Sequence, residues 1–258
     1  MVKGLYTAYT GMLNEQHRMD VLTNNLANSD THGFKKEGAT SQAFNTVLGY
    51  KIKDISESPN LAKGIGGMNL GVKIGENYTD YSQGPFRVTG NTYDMAISGK
   101  GFYSIEFTNK AGEKSTKYTR DGSFTVNKEG YLVTKDGDYV LNTENGRIKV
   151  DPLHEVTVDT QGNIFQQGVA LTTIKITDFS DYNYLEHYGE NYYEPVDGAT
   201  QIPGDYTINQ GYLETSNVQV VQEMVEMISV SRQYESNQRM ITTIDSTLEI
   251  ASKQLGKV

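Results

Sequence analysis

All five prolines of this chain, at positions 59, 85, 152, 195 and 203, lie between residues 59 and 203. Proline removes a backbone donor and clashes with the preceding helical turn. The first 58 and last 55 residues escape that restriction and can form long uninterrupted helices. The middle cannot.

The N-terminal segment fills this opening with a heptad seam. Val2, Leu5, Tyr9, Met12, Gln16, Met19, Thr23 and Leu26 step by three and four, with two polar interruptions. Glu15, Arg18 and Asp20 fall on other faces. At about 1.5 Å per residue such a helix runs roughly 40 Å. The turn-rich string Ser29, Asp30, His32 and Gly33 predicts its end near Asn28. The C-terminal segment repeats the pattern through Val220, Met224, Met227, Ser231, Tyr234, Gln238, Ile241, Asp245, Leu248, Ser252 and Leu255. Val221, Val225, Ile228 and Ile244 broaden that stripe. Thr215, Ser216 or Asn217 can supply an N-cap oxygen. Periodicity alone is met by any amphipathic helix on a globular core. Two seams at opposite termini favour helices that pack on each other and on neighbouring copies, because a lone amphipathic helix is marginal in water.

The middle reads as strands. Asp121-Gly122, Glu129-Gly130, Asp136-Gly137, Asn145-Gly146 and Gln161-Gly162 mark turns. Between and beyond them lie short β-rich segments at 123–127, 131–134, 139–142, 147–150 and 171–179. Residues 37–75, with Ser56, Pro59 and Gly64, Gly66 and Gly67, read as an extended connector of low regular content. The expected fold is therefore α+β. Terminal helices at 1–30 and 212–258 pack as a coiled-coil-like assembly layer, 31–75 forms the connector, and 76–211 forms a central antiparallel β domain.

Composition agrees with a chain lacking one deep core. Apolar residues make up 36%, below the usual 45–50% or so. Disorder is not indicated, since aromatics reach 10% and tyrosine occurs 18 times. Net charge is -9 and sits in the middle, for residues 1–36 carry four basic and three acidic side chains. An acidic chain is a poor partner for nucleic acid. No run of about 18 apolar residues exists to span a membrane as a helix. The start, MVKGLYTAYTGML, does not read as a cleaved export signal.

Chemistry is sparse. There is no cysteine, which excludes thiolate catalysis and disulfides. His17, His32, His154 and His187 fit no metal-ligand spacing, and no G-x-S-x-G elbow occurs. The glycines at 64–67 lack the third fingerprint glycine, because Asn69 stands there. No catalytic residue, cofactor, metal or small-molecule substrate is expected. Tyr182, Tyr184, Tyr188, Tyr192 and Tyr193 crowd one acidic loop and suit a subunit contact.

Several blocks resemble the flagellar rod and hook family. Asn24, Asn25, Leu26, Ala27 and Asn28, followed by Thr31, His32, Gly33, Phe34 and Lys35, resemble its rod signature. His32 departs from the usual proline. Thr89-Gly90-Asn91, Asp94, Ala96-Ile97, residues 99–102 and residues 118–124 follow in the family's order. Gly211, Tyr212, Glu214, Ser216 and Asn217 belong to the C-terminal block at 210–218, ahead of Glu223-Met224-Val225 and Tyr234-Glu235. The blocks at 118–124, 189–192 and 210–218, with the length, are most similar to the distal-rod member, and the proximal-rod member is the alternative. The resemblance implies a self-assembling subunit of a hollow shaft in the basal body. It implies unfolded export through the flagellar type III apparatus without a cleaved signal. Its partners would be further copies of itself, other rod proteins, the hook protein and envelope bushing rings. Leu5, Met12, Met19, Leu26, Val220, Met224, Met227, Tyr234, Ile241, Leu248 and Leu255 are then the expected assembly interface. The competing readings are a β-rich hydrolase, which needs a pocket of convergent titratable groups, and a monomeric adhesin.

Overall fold

The computed structural model describes residues 2–44, 46–51, 63–110, 112–189 and 191–255. Ser56, Pro59 and Glu190 lie outside the described residues. Two long helices bracket the chain: α1, Val2–Ala27, and α2, Val220–Ile250. Both match the proline-free ends. A short terminal turn, Ala251–Leu255, follows α2. No described helix is long and apolar enough to cross a membrane.

The chain divides into two units. The first holds residues 1–26, 37–79 and 220–258. Its strands form two antiparallel ribbons, Glu37–Ala43 with Val72–Thr79 and Val47–Lys51 with Lys63–Met68. The stretch read as a connector of low regular content is thus extended but regularly paired. Thr40 ties its ribbon through Oγ1, which accepts from Glu76 N–H at 2.9 Å and donates to the Glu76 carbonyl at 2.9 Å. The glycines at 64–67 sit in the strand Lys63–Met68, with no helix after them.

The second unit holds residues 27–36 and 80–219. Its main sheet is antiparallel throughout. Leu185–Tyr188, Tyr192–Pro195, Lys114–Thr119, Phe102–Thr108, Tyr139–Val140, Leu132–Val133 and Thr125–Val126 lie side by side in that order. The pleat of Phe102–Thr108 feeds two cores. Tyr103 joins Met95, Phe124, Val140, Ile164 and Ile208, whereas its neighbour Phe102 joins Tyr118, Phe179 and Tyr193. The segment 171–179 breaks into Val169–Thr173 and Ile176–Phe179. Residues 147–150 contribute only isolated bridges, Arg147 to Leu141 and Lys149 to Tyr131. Late strands close onto early ones: Tyr206–Gln210 pairs with Met95–Gly99, and Tyr212–Glu214 with Phe86–Val88.

Candidate functional site

In the helical unit α1 and α2 run antiparallel. An added Cβ on Gly4 would lie 3.7 Å from Ile244 Cδ1, and one on Gly11 would lie 3.0 Å from Asn237 Nδ2. Arg18 bridges Glu15 at 3.2 Å and Glu226 at 3.1 Å. Asn25 Nδ2 donates to Glu223 at 3.2 Å. Ala8, Asn14, Val21, Leu22 and Asn25 are buried on α1, as are Glu223 and Val230 on α2.

Within this one chain the buried residues of both helices lie off the heptad rows read from the sequence. On α1, Leu5, Met12, Met19 and Leu26 are only half-buried and Tyr9 is exposed. On α2, Met227, Tyr234 and Ile241 are half-buried, while Val220, Met224 and Leu248 are exposed. The Leu255 side chain lies outside what the structure describes. Polar side chains share the inner faces with apolar ones: Asn14, Asn25 and Glu223 are buried beside Ala8, Val21, Leu22 and Val230.

The motif blocks meet in the β unit. Glu214 Oε1 accepts from Lys35 Nζ at 2.6 Å and from Gly84 N–H at 2.9 Å. Its Oε2 lies 3.4 Å from Arg120 Nη1. Lys35 also donates to the Ser82 carbonyl at 2.8 Å, and Arg120 Nη2 to the Gly99 carbonyl at 2.7 Å. The Lys35 and Glu214 side chains are each 1% exposed. Burial pulls the Lys35 amine below its ordinary range, and Glu214 opposes that pull. A buried pair of this kind fixes which segments meet more than it adds net stability.

The neighbouring motif residues serve the same junction. Gly33 takes φ +71° and donates its N–H to the Glu214 carbonyl at 2.9 Å. An added Cβ there would overlap the Asp121 backbone nitrogen. Phe34 is buried beside it. Asn28 starts the turn, its carbonyl accepting from Thr31 N–H. Gly211 donates its N–H to the Asp94 carbonyl at 2.8 Å, and Tyr212 pairs with Val88. Asn217 Oδ1 accepts from Lys36 N–H at 2.7 Å and its Nδ2 donates to the Asp80 carbonyl at 2.8 Å. Ser216 Oγ accepts from Val218 N–H. These contacts replace the helix-capping role expected of Ser216 and Asn217, and α2 begins beyond them at Val220. Of the other motif residues, Asn24 and Ala27 are exposed.

Among the described residues no group of three His, Asp or Glu side chains could hold a metal ion. His17 Nε2 lies 2.9 Å from Asn77 Oδ1, and His187 stacks edge-on against Tyr193. His32 Nε2 accepts from Arg87 at 2.8 Å, with burial and then the Arg87 charge holding its pKa below the ordinary range. His154 sits in a turn, its N–H donating to Asp151.

Three family models match in chain order. Residues 5–35 match the flagella basal body rod protein model, 96–166 the D1 domain of flagellar hook protein FlgE/F/G, and 209–254 the flagellar basal body rod FlgEFG protein C-terminal model. The flagellar basal-body rod protein FlgG of Buchnera aphidicola subsp. Schizaphis graminum is 32% identical over 270 residues, covering 98% of this chain and 100% of the relative. The chain belongs to the flagellar basal-body rod protein family. FlgG of Bacillus subtilis is 33% identical over 265 residues, covering 96% of this chain and 97% of its own. FlgF of Caulobacter vibrioides is 33% identical over 265 residues and is covered in full, as is this chain. The rod-protein matches contain both halves of the ion cluster, Lys35 in the first and Glu214 in the last.

Proposed function

We propose that this chain is a structural subunit of the flagellar basal-body rod, the distal-rod member, polymerising into a hollow shaft that carries torque to the hook. The observation that carries the reading is the end-to-end similarity to FlgG proteins. Exposed apolar side chains on both helices support it, among them Tyr6, Tyr9, Val221, Met224, Val225 and Ile228. A large exposed apolar surface marks an association site. The terminal helices form the assembly layer, packing in coiled-coil fashion with those of other copies. The expected interface residues Leu5, Met12, Met19, Val220, Met224 and Leu248 then become buried between copies. Other rod proteins, the hook protein and envelope rings are the further partners, and the flagellar type III apparatus exports the chain. This role uses no catalytic residue, cofactor or small-molecule substrate.

One observation favours the proximal rod instead, the equally complete match to FlgF of Caulobacter vibrioides. Deleting the gene and complementing it with a labelled subunit decides between the two. Cryo-electron images of purified basal bodies should place the label in the distal rod. Label at the proximal end selects the second reading, and motile cells with unlabelled rods sink both.

A further inference from the structure

Each helix carries a row of exposed side chains away from the contact with its own partner helix. On α1 the row is Tyr6, Tyr9, Leu13, Gln16 and Asp20. On α2 it is Ser229, Arg232, Ser236, Arg239, Thr243 and Ser246. Both step by three and four, so each is a straight stripe at heptad spacing. A shallow groove of about 400 Å³ opens at the start of the α2 stripe, between Val225, Ser229, Arg232 and Ser236.

The charges on the two helices are unevenly served. Arg18 pairs with Glu15 and Glu226, Arg239 with Glu235, and Lys253 with Glu249. Asp20 and Arg232 have no ion-pair partner among the described residues, and both are exposed. They are opposite in sign and sit on the outward stripes of the two helices.

We propose that α1 of one copy lies antiparallel along α2 of a second copy through these stripes, with Asp20 paired to Arg232 between copies. The occupant is a second copy because the two stripes of this one chain complement each other in charge and in size. Setting Asp20 against Arg232 brings Gln16 to Ser236, Leu13 to Arg239, Tyr9 to Thr243 and Tyr6 to Ser246. Bulky side chains on α1 thereby meet small hydroxyls on α2. The exception is Arg239, which faces Leu13 next to Tyr9, on whose ring a guanidinium can stack. A single chain cannot make this contact with itself, since its α1 already occupies the opposite face of its α2. The contact joins two different surfaces, so it repeats from copy to copy and builds a helix wherever its rotation does not close into a ring. The proposal rests on the rod reading and specifies the surface it uses.

The chain has no cysteine, which makes a crosslinking test clean. Two versions, one carrying Asp20→Cys and the other Arg232→Cys, are co-expressed in cells lacking the native gene. Oxidised hook-basal bodies should then yield disulfide-linked dimers of this subunit, and neither version alone should. Rods containing both versions without dimers would overturn the pairing. A charge swap covers the case in which the cysteine versions do not assemble. Asp20→Arg and Arg232→Asp should each cut hook-basal bodies per cell about tenfold, and the double swap should restore them. Harmless single reversals, or a double swap that rescues nothing, would also overturn it. Failure of the unsubstituted subunit to enter basal bodies is a separate outcome that sinks the rod reading itself.

Discussion

The side chain of Asn25 binds both backbone polar groups of Glu37. Its Oδ1 accepts from the Glu37 N–H at 2.9 Å and its Nδ2 donates to the Glu37 carbonyl at 2.7 Å. The same Nδ2 lies 3.2 Å from Glu223. An amide thus does for the end of α1 what a neighbouring strand would do for the first residue of the ribbon.

Asn25→Asp keeps the acceptor, loses the donor and faces Glu223 with a second carboxylate. It should therefore be worse than Asn25→Ala, which leaves buried groups unpaired at a cost of about 1–3 kcal/mol. Urea unfolding of the two variants checks the order. Equal stability, or a milder Asn25→Asp, would mean that a second carboxylate beside Glu223 costs little.

Glu214 serves two cations and one backbone N–H, whereas Lys35 serves one carboxylate and one carbonyl. Glu214→Leu should cost about 3–5 kcal/mol, because it strands buried charge. Lys35→Met should cost less, since the Arg120 pair survives. Thermal unfolding of the full chain ranks them, and a milder Glu214→Leu contradicts the assignment.

Gly33 and Gly90 both have positive φ, +71° and +69°. Nothing lies within 4 Å of a Cβ on Gly90, while one on Gly33 would overlap the Asp121 backbone. Gly90→Ala should cost only the conformational penalty of about 1–2 kcal/mol. Gly33→Ala should cost distinctly more and lower the melting temperature further. Matching losses would show that the backbone at 120–121 yields easily.

Met224 is 48% exposed and Val230 is 1% exposed on the same helix. Val230→Glu should destabilise the helical unit of the monomer. Met224→Glu should leave the monomer intact and reduce rod number and motility, and Leu248→Glu should behave alike. Glu235→Lys is the mild control. Circular dichroism of the purified subunit, with counts of hook-basal bodies, separates the two effects. Normal rods from Met224→Glu would remove that residue from the interface.

Asp138 accepts from the Tyr192 hydroxyl at 3.1 Å, and the same hydroxyl lies 2.9 Å from Asp136. Burial raises the Asp138 pKa above the ordinary 3.8, with the Tyr192 hydrogen bond opposing it. A raised carboxyl pKa favours the folded state below the unfolded value, and that benefit is lost as pH rises through the folded value. Asp138→Asn should therefore be more stable than the parent at pH 7, with the advantage shrinking toward pH 4. Melting temperatures across that range test it, and an advantage that grows on acidification would contradict the sign.

The proline map and the spacing of turns made the helix–strand–helix order legible, because both act locally. The exact faces were harder to read. Hydropathy ranked Met224 above Glu223, yet Glu223 is fully buried because Asn25 reaches it from 198 residues away. The hairpin of Phe102–Thr108 with Lys114–Thr119 escaped notice because Lys117 and Thr119 are polar and still buried. The motif residues stood out as a pattern, but nothing in their order revealed that Lys35, Arg120 and Glu214 form one cluster. Tertiary pairing supplied that information.

The link between Lys35 and Glu214 closes a loop of 179 residues. Contacts so distant in sequence are slow to form, since the entropy of closing the loop is lost before any reward arrives. The strand Tyr212–Glu214 and its neighbour Tyr206–Gln210 reinforce the delay, each completing a ladder begun more than a hundred residues earlier. A chain made or threaded from its N-terminus cannot finish its β unit until residue 214 is free. Completion of the β unit is thus timed by the tail of the chain.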